Sequence, residues 1–139
     1  MPVDNRTLAA SAPDVYAIGD VAFIKLPNGK RLPLAGVFAH GQALSVSRTI
    51  AARIHGGLEA RFDGLGYCWV EMGSGLPGFA SGDFYATPEP VVGLRQPGRL
   101  WKRGKGLFET WWFGKGLTRE LAGLGLRLGS RLMRVPARL

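Results

Sequence analysis

Apolar side chains recur at helical spacing in three parts of the chain. In Gly36–His55 they fall three or four positions apart, and the two glycines that follow supply a stop. The stretch Leu100–Phe113 has aromatic residues and leucines on more than one face. In Leu117–Val135 a row of leucines runs along one face, and the arginines lie away from it. The pattern therefore predicts three helices.

Short runs of β-branched and aromatic residues predict strands. Val15–Ile18, preceded by Pro-Asp and followed by Gly-Asp, is typical of a buried parallel strand. Further strands are predicted at Arg61–Phe62, Tyr67–Met72 and Phe84–Ala86, and a turn is predicted at Asn28–Arg31. The mixture of strands, helices and many glycines predicts an α/β or α+β fold rather than a helical bundle.

The excess positive charge lies in the last 41 residues. The 139 residues include 18 basic and 10 acidic side chains, which gives a formal charge of +8. Residues 1–98 contain eight basic and eight acidic side chains, so their net formal charge is zero. Three of the four tryptophans fall among residues 99–139. Interleaved cations and aromatic rings suit the headgroup region of an anionic bilayer, which predicts an in-plane membrane segment there. Solvated or packed helices are the alternative, and a nucleic-acid-binding tail is the least favoured one.

Composition excludes several classes of site. A single cysteine rules out an internal disulfide framework, and two histidines without metal-ligand spacing give no reason to expect a metal. No run reaches the roughly 20 apolar residues of a membrane span, and the polar N-terminus lacks the apolar core of a signal peptide. The sequence predicts a cytoplasmic location, with peripheral attachment to a membrane through the basic tail.

Two glycine-rich stretches match nucleotide-binding loops in their letters only. Gly73–Gly78 reads G-x-G-x-x-G, but Pro77 and the residues after it predict a loop running into a strand, where the dinucleotide fingerprint needs a helix. Gly98–Lys105 departs from a P-loop because Gly106 stands where Ser or Thr must be. Neither stretch predicts a phosphate site.

Two side chains are candidates for chemistry. Asp20 follows the predicted strand Val15–Ile18, and ligands bind at the carboxyl ends of strands in α/β folds. Its carboxylate can accept hydrogen bonds from sugar-like hydroxyls, while Gly19 allows close approach. Capping of a helix N-terminus is the alternative role of Asp20. Cys68 lies mid-strand, where a lone cysteine is more often a buried small hydrophobe than a redox thiol.

A family resemblance is carried by two stretches. The first ends in Pro13-Asp14-Val15-Tyr16-Ala17-Ile18-Gly19-Asp20 and resembles the second flavin-binding motif of the FAD-dependent pyridine nucleotide–disulfide oxidoreductases. The second, Leu26–Ala43, is similar to the sulfide:quinone oxidoreductase-like branch, although Leu34 stands where relatives often have lysine. Beyond these stretches the resemblance extends, less specifically, to about Phe113.

The resemblance implies an FAD cofactor in which Asp20 contacts the ribityl chain. Helix N-terminal amides facing the flavin pyrimidine would stabilise negative charge on the reduced cofactor. Cys68 corresponds in position to a redox cysteine of the family, which makes it a candidate redox thiol. The cofactor-binding residues implied are Gly19, Asp20, Gly36, Val37 and Phe38.

The resemblance also implies the C-terminal portion of a larger oxidoreductase. Residues 1–57 would hold the last strand and flavin-facing helix of a Rossmann-like FAD-binding domain, 58–98 a β-rich interface domain, and 99–139 a basic amphipathic helical tail. The partner would be an N-terminal FAD/NAD(P)-binding half, without which this chain is inactive. Electrons would pass from sulfide or NAD(P)H through FAD to an acceptor such as quinone. A non-catalytic module that binds membrane surfaces or other proteins is the alternative.

Overall fold

A computed structural model describes residues 1–73 and 75–135, which fall into two compact units. Unit 1 comprises Met1–Leu65 and Asp83–Val91, and unit 2 comprises Gly66–Gly82 and the chain from Val92 onward. Ser74 of the glycine-rich stretch and Arg138 of the predicted tail lie outside the described residues. The elements are a 3₁₀ turn (Gly19–Val21), α1 (Gly36–His55), β1 (Leu65–Val70), β2 (Gly78–Asp83), β3 (Val91–Arg95), α2 (Arg99–Phe113) and α3 (Gly116–Leu132).

The described part of the chain has a mixed α+β fold, with three helices and a three-stranded antiparallel sheet in the order β1-β2-β3. All three predicted helices are confirmed. The bounds of α1 are the predicted ones: basic residues occupy its last turn, and Gly56 follows at the C-cap with φ 79°. A positive φ is where glycine costs least, so the helix ends at the residue that the sequence marks.

The predicted strands are confirmed only in part. β1 overlaps the predicted Tyr67–Met72, and β2 begins where the loop after Gly73 was expected to run into a strand. The prediction for Phe84–Ala86 is wrong, since the chain turns there, and Arg61–Phe62 is not a strand. β2 contains two glycines, a serine and an aspartate, so its propensity is weak, but it is the central strand and is paired on both edges.

The prediction of a buried parallel strand at Val15–Ile18 is wrong. This segment is extended, but it pairs only through one antiparallel bridge, between Tyr16 and Ala9. Val15 and Ile18 are 39% and 37% exposed. Left-handed backbone at Asp14 (φ 58°) and Gly19 (φ 65°) turns the chain on either side, so the run is too short to extend a ladder.

The core of unit 1 is built around aromatic rings that pack edge to face. Phe62 lies 6.4 Å from Phe38 of α1 and 5.7 Å from Tyr85, measured between ring centroids. The Tyr85 hydroxyl donates a hydrogen bond to the carbonyl of Asn5 at 2.5 Å, and burial raises the pKa of this phenol. Leu8 and Ile24 are almost fully buried in the same cluster. These contacts hold the first turn of α1 against the N-terminal loops.

Thr49 provides a buried polar link from α1 to the chain that follows it. Its hydroxyl donates to the carbonyl of Ala60 and accepts from the Ala60 amide, both at 3.1 Å, and the residue is 1% exposed.

We expect Thr49→Val to lower the free energy of unfolding by about 1–3 kcal/mol, because both backbone groups of Ala60 lose their buried hydrogen-bond partner. Urea unfolding followed by circular dichroism measures the loss.

Thr49→Ser is the matched control, because it keeps the hydroxyl and removes only one methyl group, worth about 0.8 kcal/mol. The valine variant should therefore be the less stable of the two. A valine variant as stable as the wild type would show that the two hydrogen bonds to Ala60 contribute nothing.

Unit 2 is built around a second aromatic cluster and the α2–α3 helix pair. Phe79 of β2 stacks on Trp101 of α2 with 4.6 Å between centroids and 6° between planes. The two helices approach closely at Gly123, where an added Cβ would lie 2.9 Å from Cδ1 of Trp111. The glycine that weakens α3 as an isolated helix is thus a point of contact with α2.

Candidate functional site

The 3₁₀ turn is tied to α1 by a buried glutamine. Gly19, with φ 65°, donates its backbone N–H to Oε1 of Gln42 at 2.6 Å, and Gln42 is 2% exposed. An added Cβ at Gly19 would lie 3.5 Å from Cβ of Ala39. The turn therefore lies against the first two turns of α1.

Asp20 lies within the turn with its side chain exposed. The helix-capping role is wrong, because Ile18 is the N-cap of the turn and Ala35 is the N-cap of α1. Arg31 fixes the turn from its backbone side, with Nη2 donating to the carbonyls of Asp20 at 2.7 Å and Ala22 at 3.0 Å. Among the described residues, none donates a hydrogen bond to the Asp20 carboxylate, which leaves its oxygens as acceptors for a ligand.

The start of α1 adds backbone donors and a partial positive charge. Ala35 makes no side-chain hydrogen bond as N-cap, and its carbonyl accepts from the amides of Phe38 and Ala39 at 3.0 and 3.2 Å. The amides of Gly36 and Val37 belong to the first turn of the helix, where no intrahelical acceptor exists. The helix dipole makes this end favourable for negative charge.

A shallow depression joins these groups. Gly19, Asp20 and Phe38 line it together with Gln42 and the segment Leu32–Ala35, and its volume is about 10 Å³, enough for about one water molecule. The structure thus brings three of the five predicted cofactor residues to one place, with Gly36 and Val37 next to them in the chain. At this volume the depression does not enclose a ligand.

Cys68 belongs to the other unit. It lies on β1 with its side chain exposed, and its thiol donates to the carbonyl of Trp69 at 3.3 Å. The interpretation of this cysteine as a buried small hydrophobe is therefore wrong. Exposure leaves the sulfur accessible to reagents in solution.

A larger cavity lies within unit 2, between the sheet and the helix pair, and no pattern in the sequence predicts it. Its volume is about 370 Å³. Burial raises the pKa of Tyr67 in its wall to about 12. The lining residues are Tyr67, Trp69, Phe79, Leu100, Trp101, Arg103, Gly104, Leu107, Gly129, Ser130, Met133 and Val135.

Charge and exposed leucines set the surface of unit 2 apart. Unit 1 has seven basic and seven acidic residues, so the whole formal charge of +8 belongs to unit 2. The buried residues of α3 are Ala122 and Gly123, so its leucine row faces away from this packing and is 48–87% exposed. We call this row the leucine stripe: Leu117, Leu121, Leu124, Leu128 and Leu132.

Comparison with protein-family models, with curated proteins and with solved structures finds no match for this chain. No helix in residues 1–73 and 75–135 is both long enough and apolar enough to cross a membrane.

The sequence patterns do not predict two side chains that form hydrogen bonds to the backbone of the turn at Asp20. Gln42 and Arg31 lie in the stretch that carries the resemblance but had no role assigned. Gln42 occupies a position on the buried face of α1, four residues after Phe38. A polar side chain at an apolar position of a helix was the available signal, because buried polar groups are found with a partner.

Proposed function

We propose that unit 1 supplies one wall of a flavin site in an FAD-dependent oxidoreductase of the sulfide:quinone oxidoreductase-like type. The observation that supports this is the shared depression of Gly19, Asp20 and the first turns of α1. An exposed carboxylate with unused acceptors suits the hydroxyls of a ribityl chain, and the α1 amides suit the electron-rich edge of a flavin ring. The residues fit the cofactor as an edge contact.

The other wall must come from a separate FAD/NAD(P)-binding segment, because a depression of about 10 Å³ cannot hold an isoalloxazine ring. FAD, when bound, supplies the redox chemistry between a small donor, sulfide or NAD(P)H, and an acceptor such as quinone. Asp20 binds and orients the ribityl chain, and Gln42 positions the turn that carries Asp20. Gly36, Val37 and the backbone of Phe38, whose side chain is buried in the core of unit 1, border the ring. Cys68 is the candidate redox thiol of the assembled enzyme.

The test is FAD retention by the chain assembled with its FAD/NAD(P)-binding partner segment. We expect Asp20→Ala to weaken FAD binding about ten- to a hundredfold, the range for losing hydrogen bonds to a charged acceptor. Equilibrium dialysis with flavin absorbance measures the dissociation constant. Circular dichroism of each variant separates lost binding from lost folding.

Asp14→Asn is the control, because it removes an exposed carboxylate from the same segment and asparagine tolerates the left-handed backbone at Asp14. The assembled Asp14→Asn protein should retain FAD like the wild type. Wild-type FAD affinity in a folded Asp20→Ala protein would remove the assignment of this turn to the flavin site.

A second candidate function, attachment to an anionic membrane surface, rests on a different observation. The leucine stripe is exposed on a unit that carries the whole excess of positive charge. A helix lying in the plane of a bilayer buries its apolar face in the headgroup boundary, and each nearby cation adds about 1 kcal/mol on anionic lipid. This function does not depend on a flavin.

We expect Leu124→Gln/Leu128→Gln to reduce partitioning onto phosphatidylglycerol vesicles at least tenfold, because two apolar side chains no longer enter the interface. Co-sedimentation measures the partitioning. Binding of the wild type should weaken between 0.1 and 1 M salt, since the screening length falls from about 10 Å to about 3 Å.

Val91→Gln/Leu94→Gln is the matched control, because both residues are more than 60% exposed on β3, outside the helix pair. It should partition like the wild type. Equal loss in the two double variants would show that exposed apolar residues anywhere on the chain account for the binding, and the assignment to α3 would be withdrawn.

A further inference from the structure

The cavity of unit 2 has the dimensions of a small-molecule site. Its volume of about 370 Å³ falls in the range of about 300–1,000 Å³ that is usual for such sites. Aromatic rings form one part of the wall: Trp69, Phe79 and Trp101 are in contact, with 5.3 Å between the first two centroids and 4.6 Å between the last two. The first pair packs edge to face and the second is stacked, so this part of the wall is already formed by side chains that pack on one another.

Glycines keep the cavity open on its helical sides. At Gly104 an added Cβ would meet only the Trp69 ring, at 3.9 Å, and at Gly129 only Cε of Met133, at 3.8 Å. These are ordinary contact distances, so a Cβ at either position would fit without a clash. A longer side chain there would extend into the cavity. The backbone does not require glycine there through a positive φ. The absence of side chains at these positions creates the volume.

The polar groups of the lining limit what the cavity can bind. Arg103 is its one charged residue, and within the described chain it has no ion pair or hydrogen bond. Ser130 already donates its hydroxyl to the carbonyl of Arg127 at 3.0 Å. Besides the Tyr67 hydroxyl, one further donor of the lining is the Nε1 of Trp69, which is buried and has no hydrogen-bond partner within the described chain. A ligand with more polar groups than these few could satisfy would leave the others without partners, which is costly. The wall favours an apolar body with one anionic end.

We propose that the cavity of unit 2 binds a single long-chain monocarboxylate, with its alkyl chain against the Trp69–Phe79–Trp101 wall and its carboxylate at Arg103. Charge complementarity supports the anionic end, because Arg103 lies in a unit with eleven basic and three acidic residues. This site shares no lining residue with the depression in unit 1 and none with the leucine stripe.

The direct test is titration of the full chain with sodium salts of hexanoate, octanoate, decanoate and dodecanoate below their micelle concentrations. Calorimetry measures the dissociation constant, and fluorescence reports on the tryptophans, two of which line the cavity. Each added methylene should tighten binding about fourfold until the cavity is filled. Arg103→Gln should weaken dodecanoate binding about two- to fivefold and leave dodecanol binding unchanged.

Gly129→Leu should fill the cavity and weaken dodecanoate binding at least tenfold, and Gly104→Leu is a second variant with the same expectation. Gly106→Leu is the matched control, because Gly106 lies on α2 with nothing within 4 Å of an added Cβ and does not line the cavity. Unchanged affinity in folded Gly129→Leu and Gly104→Leu proteins would overturn the proposal. Non-saturable binding, or equal binding of dodecyltrimethylammonium, would also overturn it.

Discussion

Gly64→Ala should destabilise unit 1 by about 2–5 kcal/mol. The Gly64 backbone has φ +76°, and an added Cβ would lie 2.5 Å from Cγ of Tyr85. Tyr85 cannot retreat, because its ring packs edge to face on Phe62 and its hydroxyl is bonded to the Asn5 carbonyl. The cost combines the left-handed penalty of an L-residue, about 1–2 kcal/mol, with overpacking of about 1–3 kcal/mol.

Gly29→Ala separates the two causes, because Gly29 also has a positive φ, +81°, but nothing lies within 4 Å of an added Cβ. Its cost should be only the left-handed penalty. All four tryptophans lie in unit 2, so their fluorescence does not report on unit 1. Hydrogen exchange of the α1 amides in urea is the appropriate measurement. Equal losses in the two variants would show that the Tyr85 ring moves aside without cost.

The helices could be predicted because their signals are local. In α1 the apolar spacing, the basic last turn and the glycine stop all lie within one stretch, and the structure adopts its bounds. The packing of α3 could not be predicted in the same way. Its most regular apolar feature, the leucine stripe, is exposed. The contacts of α3 with α2 include Gly123 and Gly125, where an added Cβ would lie 2.9 Å from Trp111 and 3.1 Å from Leu107. Small residues carry little signal in a hydrophobic pattern, although they decide how closely two helices approach.

The strands and the site could not be predicted from local patterns, because they depend on contacts between residues that are far apart in the sequence. β2 is a strand because it has a partner on each edge, which its own glycines and aspartate do not indicate. Val15–Ile18 has strand composition but only a single bridge. Asp20 and the start of α1 could be paired only through the family resemblance. The Gln42 bond to Gly19 and the cavity beside Arg103 depend on contacts between separate elements.

Phe79→Ala should be among the most destabilising substitutions in unit 2, lowering its free energy of unfolding by about 3–5 kcal/mol. Phe79 is 4% exposed and lies at the centre of the aromatic cluster, with ring contacts to Tyr67, Trp69 and Trp101. Removing the ring would leave the Trp101 face without its stacking partner and merge a new void with the adjacent cavity. The surrounding rings are held by the sheet and by α2, so they cannot close the void fully.

Tryptophan fluorescence in urea measures this effect directly, because two of the four tryptophans contact the Phe79 ring. Leu94→Ala on β3 is the control: Leu94 is 62% exposed, so its truncation should cost less than about 0.5 kcal/mol. Phe79→Leu should fall between the two, since it keeps most of the apolar volume but loses the stacking. A Phe79→Ala protein that unfolds at the urea concentration of the Leu94→Ala protein would mean that this cluster does not stabilise unit 2. The cavity of unit 2 would then lack the packed aromatic wall on which its proposed ligand site depends.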